Sequence, residues 1–556
     1  MGRNVLKSSL QSAYFNIVFQ IMCRCITFGI NAFIVRKVGR HVLGIMNVRL
    51  LLLESTILFL SREAITRAAL SSTTLKSSKC SWPQLINQMW LTVPICCFLC
   101  LPCLYIWLNI LSPVEEDLYA QYKFGCWSIA ISCVIELCSE APFFVSQVFC
   151  FVKLRVILDT LHVFLRSVVF IFIVLSNKDI AIIAFGVAQL ASAFTIIFGR
   201  YSFFHFYINK FREYKKGFKE GQATKNNDYF KNMEDFPFNS IKEMVPGFLP
   251  NEGPLLNSEL QILTLSFIKQ GVLKQILTEG EKYVMSVSPV LSFSEQATYD
   301  VVNNLGSLAA RFIFRPIEDS SYFYFTQTIA RDEKLEKQDK NKVLEAGEVL
   351  QTVCRLVSTI GYVAFAFGQS YAGILLLFYG GSDFVAGGLP ETLLRWHSLA
   401  ICFLAVNGIT EGYMFATNTS REIDTYNYFM AIFSVMFLLL SFILTSILGP
   451  VGFILANCTN MFCRIYYSTK YIHKQYKPLG MNPLKGLIPD VYFFVTLVTM
   501  GGICKFSQAK ILEYSAFYHI LIGFMCTIIT LVVWAVENKA LIKRGFSKYG
   551  NKIKSH

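Results

Sequence analysis

Charged residues are scarce in this chain. They make up 16% of its 556 residues, whereas 54% are hydrophobic. Soluble globular domains typically carry about 25% charged residues, so the composition excludes a soluble protein of this length. About fourteen apolar runs of about 20 residues could each cross the roughly 30 Å hydrocarbon core of a bilayer. We therefore predict an all-α polytopic membrane protein. The approximate centres of the runs are Met22, Leu53, Phe98, Val134, Phe164, Gln189, Gln275, Ala310, Thr359, Phe403, Phe437, Asn460, Val498 and Met525.

Sequence signatures of soluble enzymes are also missing. The sequence contains no phosphate-binding P-loop, no HExxH and no GxSxG elbow in a strand-to-helix context. Most of its 17 cysteines lie inside apolar runs, and no histidine accompanies the group at 96–103, which disfavours a metal site. The net charge of +14 is spread over short loops, without a nucleic-acid-binding module, and anionic lipid headgroups account for it. We expect no enzyme activity, no cofactor, no metal and no nucleic-acid partner.

Lysine and arginine are concentrated at both termini and in the loops after even-numbered runs. Because positive charge is retained on the cytosolic side, we predict that both ends of the chain are cytosolic. The longest hydrophilic segment is then a cytosolic linker at 206–258. It separates an N-terminal bundle of about six spans at 1–205 from a C-terminal bundle of about six spans at 259–475. Two further spans and a basic tail occupy 476–556.

Charge within apolar sequence is densest in two segments that resemble each other, 15–67 and 267–325. Aligning Arg62 with Arg315 also matches a preceding polar turn and a phenylalanine. Such repeats are typical of transporters built from two related halves, with the substrate site at their interface. Ions in hydrocarbon are costly and often mark the route of a polar substrate. The pattern therefore predicts transport of a polar, anionic substrate.

The second copy carries the clearest anion-binding pattern. Arg311 and Arg315 are four residues apart and share a helix face, and Glu318 follows three residues later. Paired guanidiniums suit a phosphate or diphosphate, because each fork donates two hydrogen bonds to oxyanions. The alternative is an internal Arg/Glu pair that fixes helix packing.

The preceding run carries a polar stripe. Lys274, Thr278 and Glu281 fall at positions i, i+4 and i+7, beside Gly280. A polar stripe beside a weak point suggests a hinge or a substrate contact. Alternatively, it marks a helix end, where Glu281 is merely hydrated.

In the first copy, Arg24 is the only charge in its span. At mid-span it needs a partner or water, and Glu54 on the neighbouring hairpin arm is the candidate. Arg49 lies on the same arm. Glu63 and Arg67 are four residues apart near the cytosolic end, where a surface ion pair is the simpler interpretation.

Polar residues also line helix faces outside the two copies. They are Asp159, His162 and Arg166 in one run, and Glu136 and Glu140 in another. These groups could carry protons in a coupled transporter, or form satisfied interhelical hydrogen bonds, which is the interpretation we favour. Lys153 and Arg155 lie in a short predicted cytosolic turn, where they could meet a phosphate arriving from that side.

Several strings closely resemble one known family. They are NAFIVRKVGR, NVRLLLLESTILFLSREA, LKQILTEGEKYVM, YDVVNNLGSLAARFIFRPIE and VGFILANCTNM. Over nearly its whole length the chain is similar to the Rft family, eukaryotic endoplasmic reticulum proteins of dolichol-linked oligosaccharide assembly. The resemblance implies the fold of multidrug and toxin extruders and bacterial lipid II flippases, with two pseudo-symmetric bundles around a central cavity. It also implies a role in placing Man5GlcNAc2 diphosphate dolichol on the lumenal leaflet for N-glycosylation.

Charge and this resemblance together suggest candidate roles for individual residues. We predict that the diphosphate contacts Arg24, Arg62, Arg67, Lys274, Arg311 and Arg315. We predict that the glycan contacts Glu281, Tyr299, Asn303 and Asn304. Structural or gating roles are predicted for Arg49, Glu54, Glu63 and Glu318.

The predicted function is movement of this glycolipid from the cytosolic to the lumenal leaflet of the endoplasmic reticulum, by alternating access of two bundles. Two alternatives stay open: a non-transporting accessory protein of the same pathway, and a dolichol-dependent membrane glycosyltransferase. For a glycosyltransferase, the acidic run at 115–117 is a poor substitute for a catalytic motif near a lumenal loop. The expected partners are the lipid-linked oligosaccharide and membrane lipids.

Overall fold

The computed structural model describes residues 26, 28–74, 81–149, 151–219, 236–250, 253–287, 291–308, 310–331, 333 and 335–539. All regular secondary structure in these ranges is helical. Backbone contacts divide the chain into two compact units, Met1–Pro289 and Val290–His556. The predicted site residue Arg24 lies outside the described residues.

Helices of the first unit follow the apolar runs of the sequence. Residues 28–37 are helical, and the helices that follow are α1 (Arg40–Gly44), α2 (Leu51–Thr74), α3 (Trp82–Trp90), α4 (Thr92–Tyr105), α5 (Glu116–Leu137), α6 (Glu140–Val148), α7 (Val152–Ser176), α8 (Ala181–Lys219) and α9 (Ser258–Val287). Helix α8 extends beyond residue 205, the position predicted from the sequence as the end of the first bundle.

The helices of the second unit are α10 (Phe293–Gly306), α11 (Arg315–Thr328), α12 (Lys340–Gly380), α13 (Ser382–Val385), α14 (Leu389–Thr417), α15 (Ser420–Leu448), α16 (Val451–Tyr476), α17 (Val491–Lys510) and α18 (Ala516–Glu537). Two of them illustrate how local sequence starts a helix. A capping box of Thr419 and Glu422 starts α15, because each side chain bonds a backbone N–H that the first turn leaves without a partner. Gly388 starts α14 at a φ of +72°, a left-handed conformation that glycine adopts without steric cost.

The prediction of an all-α, multi-span membrane protein is confirmed. Nine helices among the described residues are long and apolar enough to span a membrane, or ten if the bent pair α5 and α6 is one span. The sequence indicated about fourteen. Of the others, the run at Met22 falls on a largely undescribed segment, those at Gln275 and Asn460 form more polar helices, and the run at Ala310 is broken.

Three π-helical turns interrupt helices in the described part of the chain. They are Ile45–Leu50, Ile106–Ile110 and Ala310–Phe314. Such turns often occur at functional sites inside helices. Two of the three contain an arginine of the predicted site, Arg49 and Arg311.

Helix α9 packs along α2 in the first unit. Ser55 Oγ donates to Glu279 Oε1 at 3.1 Å, and the hydroxyls of Thr56 and Tyr283 are 2.7 Å apart. Contact grouping therefore includes α9 in the first unit, whereas the sequence division started the second bundle at 259. The predicted boundaries at 205, 259 and 475 stay predictions.

Candidate functional site

Arg62 of α2 lies between two carboxylates inside the first unit. Its Nη1 donates to Glu136 Oε1 at 2.9 Å and is 4.0 Å from Glu140 Oε2. Glu140 Oε1 accepts a hydrogen bond from Thr66 at 2.9 Å. The Glu140 side chain is only 1% exposed. These partners therefore offset the cost of burying its charge. These are interhelical bonds of the kind that we favoured for Glu136 and Glu140.

Glu54, also on α2, is held by α7 and α8. Gln189 Nε2 donates to Glu54 Oε1 at 2.6 Å, and Arg166 Nη1 donates to Gln189 Oε1 at 3.1 Å. The same Arg166 nitrogen is 3.8 Å from Glu54 Oε2. Arg24, the partner predicted for Glu54, lies outside the described residues, and the described partners are Gln189 and Arg166.

Other polar residues of α7 have partners as well. His162 Nδ1 is 3.1 Å from Ser192 Oγ on α8. Asp159 forms an ion pair at 3.6 Å with Arg155, one turn earlier on α7. The polar face of α7 is therefore occupied by contacts within the first unit.

Arg49 is completely buried in the π-helical turn before α2. Its Nη2 donates to the hydroxyl of Ser112, and its carbonyl accepts a hydrogen bond from Trp107 Nε1 at 2.9 Å. Ser112 Oγ in turn donates to the carbonyl of Ser286 on α9 at 3.3 Å. Arg49 thus ties the start of α2 to the segment that follows α4. Its structural or gating role stays a prediction.

Glu63 and Arg67 form an ion pair at 2.6 Å on the surface of α2. Their side chains are 31% and 41% exposed. A pair of this kind contributes about 0.2–0.5 kcal/mol. The diphosphate contact predicted for Arg67 would have to compete with Glu63.

The polar stripe of α9 is described in part. The backbone of Lys274 is helical, and its side chain lies outside the described residues. Glu279 accepts the Ser55 hydrogen bond and forms an ion pair with Lys282 at 3.3 Å. Glu281, the predicted glycan contact, is half-buried. Glu279, a charge of this run that was not among the predicted site residues, bonds α2.

The remaining predicted glycan contacts lie on α10 in the second unit. Tyr299 is 3% exposed, and its ring centroid is 5.3 Å from that of Phe453 on α16. Asn303 is half-buried, and Asn304 is exposed and donates to Asp300 at 3.2 Å. These three residues thus differ widely in accessibility, with Asn304 the most open to a ligand.

Arg311 and Arg315 flank the junction between the π-helical turn and α11. A π-helical turn holds more residues than an α-helical turn, because its hydrogen bonds span five residues. Arg311 and Arg315, four positions apart, are therefore slightly less than one turn apart. Only the backbone of Arg311 is described. Arg315 is exposed and forms no ion pair with another described residue.

Glu318 fits into a notch that a glycine leaves in α14. A Cβ atom at Gly408 would overlap Oε1 of Glu318, and a Cβ atom at Gly306 would overlap the ring of His397. The broken helix α10–α11 contributes Gly306 and Glu318, while α14 contributes His397 and Gly408. The two elements therefore interlock through one notch on each.

Sequence reasoning missed a polar cluster around Glu411 of α14, which is 7% exposed. Its carboxylate accepts hydrogen bonds from Tyr426 at 2.6 Å and from Asn407 at 3.0 Å. It also pairs with Arg464 of α16. The signal was available, because Glu411 and Arg464 are charges inside long apolar stretches. No group of residues able to hold a metal ion occurs in the described ranges.

Comparison with known proteins places the whole chain in one family. A family model described as "Rft protein" matches residues 8–548. The chain belongs to the Rft family. This Rft-family chain is 60% identical to the Man(5)GlcNAc(2)-PP-dolichol translocation protein RFT1 of Drosophila melanogaster, over 100% of both chains. The proteins of the same name from Xenopus tropicalis and Mus musculus are 37% and 35% identical, over 97% and 95% of this chain and 96% and 94% of theirs.

A solved structure shares the fold of this Rft-family chain. It is the lipid II flippase MurJ in an inward closed conformation, with a TM-score of 0.52 at 14% sequence identity. The match covers 93% of this chain and 100% of that one. The structural relationship to lipid II flippases that the resemblance implied is therefore confirmed at the level of the fold.

Proposed function

We propose that this protein moves Man5GlcNAc2-PP-dolichol from the cytosolic to the lumenal leaflet of the endoplasmic reticulum for protein N-glycosylation. The observation that carries the proposal is the Drosophila melanogaster relative, which matches the whole chain at 60% identity and whose name states translocation of this lipid. The protein is then a transporter rather than an enzyme. Both termini are cytosolic in this proposal, and the two units supply the moving bodies for alternating access.

The physical problem explains why cations inside apolar sequence matter. The diphosphate and sugar headgroup cannot cross hydrocarbon unaided, while the polyprenyl tail can stay in lipid. Arg315 is well placed to meet the diphosphate, because it is exposed and has no described ion pair. Arg62 and Arg67 are held by carboxylates, so they bind an anion only by exchanging partners. Arg24, Lys274 and Arg311 complete the proposed set.

The non-transporting accessory role keeps specific support from the first unit. Glu54, Glu136 and Glu140 form ion pairs there with Arg62 or Arg166, at 2.9 to 4.0 Å. A network of this kind fixes helix packing without binding a substrate. If the accessory role is correct, replacing these charged residues changes only the stability of the protein.

Reconstitution distinguishes the two functions. Purified protein is placed in sealed vesicles with labelled lipid-linked oligosaccharide, and headgroup accessibility is scored from both leaflets. We expect faster exchange between leaflets than in protein-free vesicles. Folded protein that produces no acceleration would contradict translocation and favour the accessory role.

A further inference from the structure

We infer that the first unit carries a binding site for a phosphate or diphosphate anion at the ring of Phe143, where Arg155 and Arg200 supply donors next to Arg62 of the proposed diphosphate set. The Cζ atoms of Arg200, Arg155 and Arg62 lie 4.5, 5.6 and 6.0 Å from the ring centroid. Arg200 was not among the predicted diphosphate contacts, and Arg155 was noted only as a residue that could meet a phosphate arriving from the cytosolic side. Three guanidiniums around one ring are a strong local concentration of donors for oxyanions.

Four separate helices build this arginine cluster. Phe143 lies on the short helix α6, which follows a bend of 48° after α5. Arg62 comes from α2, Arg155 from the first turn of α7, and Arg200 from α8. The ring attracts guanidiniums through its negative face, and Glu136, Glu140 and Asp159 offset the repulsion among the three cations.

Arg200 supplies the observation that points to a ligand. It is only 6% exposed, and its hydrogen bonds to described residues all use Nη1, which donates to Ser139 Oγ at 2.9 Å and Ser139 O at 3.4 Å. No described carboxylate lies within ion-pair distance of it, and the charges of Glu140 and Glu136 act on it from farther away. A buried guanidinium normally has an anionic partner. Its Nε and Nη2 are the donors left for a ligand.

A structural role for Arg200 accounts for part of this geometry. Ser139 follows the last turn of α5, where a cation is stabilised by the negative end of the helix dipole. That role uses Nη1 and the positive charge alone. It does not require the planar fork of arginine, nor the approach of Arg155 to the same ring.

The neighbouring ion pairs differ in how easily they open. Arg62 is held at 2.9 Å by Glu136, whose side chain is 13% exposed. Arg155 is held at 3.6 Å by Asp159, and both of these side chains are more than half exposed, at 53% and 51%. Exposed pairs of this kind contribute about 0–1 kcal/mol. An anion of charge −2 or more therefore displaces Asp159 at little cost and binds Arg155 and Arg200 together.

The location of the cluster gives it a place in the proposed translocation, on which this assignment rests. In the predicted topology, α6 and the start of α7 are at the cytosolic end of the first unit. A lipid-linked diphosphate enters from that leaflet. The cluster would capture the headgroup before it moves inward.

Pyrophosphate binding tests the site directly. The full-length protein is placed in nanodiscs of neutral phosphatidylcholine, and inorganic pyrophosphate is titrated by calorimetry. We expect Arg155→Ala and Arg200→Lys each to weaken pyrophosphate affinity by at least about tenfold, because each removes charge-assisted hydrogen bonds. Arg212→Ala is the matched control, since Arg212 is an exposed arginine on the same helix as Arg200. It should bind like the unaltered protein.

Two results would overturn the assignment. One is unchanged pyrophosphate affinity in Arg155→Ala and Arg200→Lys, and the other is an equal loss in Arg212→Ala, which would mean nonspecific attraction. Arg200→Lys keeps the charge and the bond to Ser139, so a fall in affinity at unchanged thermal stability separates ligand binding from helix capping. If Arg200→Lys does not fold, the exposed Arg155→Ala decides alone.

Further experiments identify the ligand and distinguish failure of this site from failure of the proposed function. Nanodiscs containing dolichyl diphosphate or phosphatidic acid are tested as competitors of pyrophosphate. Competition assigns the site to a lipid headgroup, and its absence assigns it to a free diphosphate. If the unaltered protein binds pyrophosphate through Arg155 but does not accelerate translocation in vesicles, the proposed function fails while the site stands. If translocation proceeds and pyrophosphate binding ignores both arginines, only the site fails.

Discussion

Arg62 and Arg67 are five positions apart on one helix, yet they lie in different surroundings. Arg62 pairs with Glu136 and Glu140, whose side chains are 13% and 1% exposed. Arg67 pairs with Glu63 on the surface. We expect Arg62→Ala to lower the free energy of unfolding by about 3 kcal/mol, because it leaves buried carboxylates without compensation. Arg67→Ala should change it by about 0.2–0.5 kcal/mol.

Denaturant unfolding in detergent, followed by circular dichroism, measures both variants. Removing Glu136 together with Arg62 should recover part of the loss, since one uncompensated charge is then gone. Equal stability of Arg62→Ala and Arg67→Ala would show that water reaches the Arg62 cluster freely. It would also contradict the burial of Glu136 and Glu140, on which the expected loss of stability depends.

At the scale of helices, two glycines of α14 form a matched pair. A Cβ at Gly408 would overlap the Glu318 carboxylate, whereas a Cβ at Gly412 would meet nothing within 4 Å. Gly412→Ala should be neutral or stabilising by up to about 1 kcal/mol, because alanine favours helix. Gly408→Ala should be less stable than Gly412→Ala by about 1–3 kcal/mol, the usual cost of overpacking.

Thermal unfolding of both variants gives this difference. Adding Glu318→Ala to Gly408→Ala should remove most of it, because the colliding carboxylate is gone. If the double variant is no more stable than Gly408→Ala, the notch does not hold Glu318. The interlock of α11 with α14 would then need another explanation.

Three polar side chains join α12 to the helical hairpin formed by α17 and α18. Arg355 Nη1 donates to Asn538 Oδ1 at 2.8 Å, and its Nη2 is 3.5 Å from Asp490 Oδ1. Asn538 Nδ2 also donates to Asp490 Oδ2 at 3.1 Å. We expect Arg355→Ala to loosen the start of α17 and the end of α18, because Asp490 and Asn538 lose their shared donor.

Hydrogen exchange followed by mass spectrometry measures this loosening. Amide exchange should rise at 490–494 and 534–538, with no change in α16. Arg421→Ala is a suitable control, since Arg421 is exposed at the start of α15. Unchanged exchange at both ends of the hairpin would mean that apolar packing alone attaches it to α12.

At the scale of the whole molecule, composition predicted the architecture and left the charge partners open. Apolar length predicts spans because hydrocarbon excludes charge, and this held for most of the chain. It does not say which helices are neighbours. The described partner Gln189 is 135 positions from Glu54, and Arg49 bonds Ser112, 63 positions away. The break at 310–314 was equally invisible, because a π-helical turn changes backbone geometry without a distinct composition.

The exposed Arg315 offers a decisive test of the proposed function in the whole protein. Arg315→Glu reverses a charge that has no described ion pair, so folding should be little affected while diphosphate binding is opposed. We expect translocation in vesicles to fall to the protein-free rate, and N-glycosylation to fall in cells that depend on this variant. Arg421→Glu reverses an exposed arginine elsewhere in the second unit and should leave both readouts unchanged. Normal glycosylation at normal abundance of Arg315→Glu would remove Arg315 from the substrate path. The diphosphate would then have to be bound by the other residues of the proposed set, and Arg62, which must first release its carboxylates, would be the next to test.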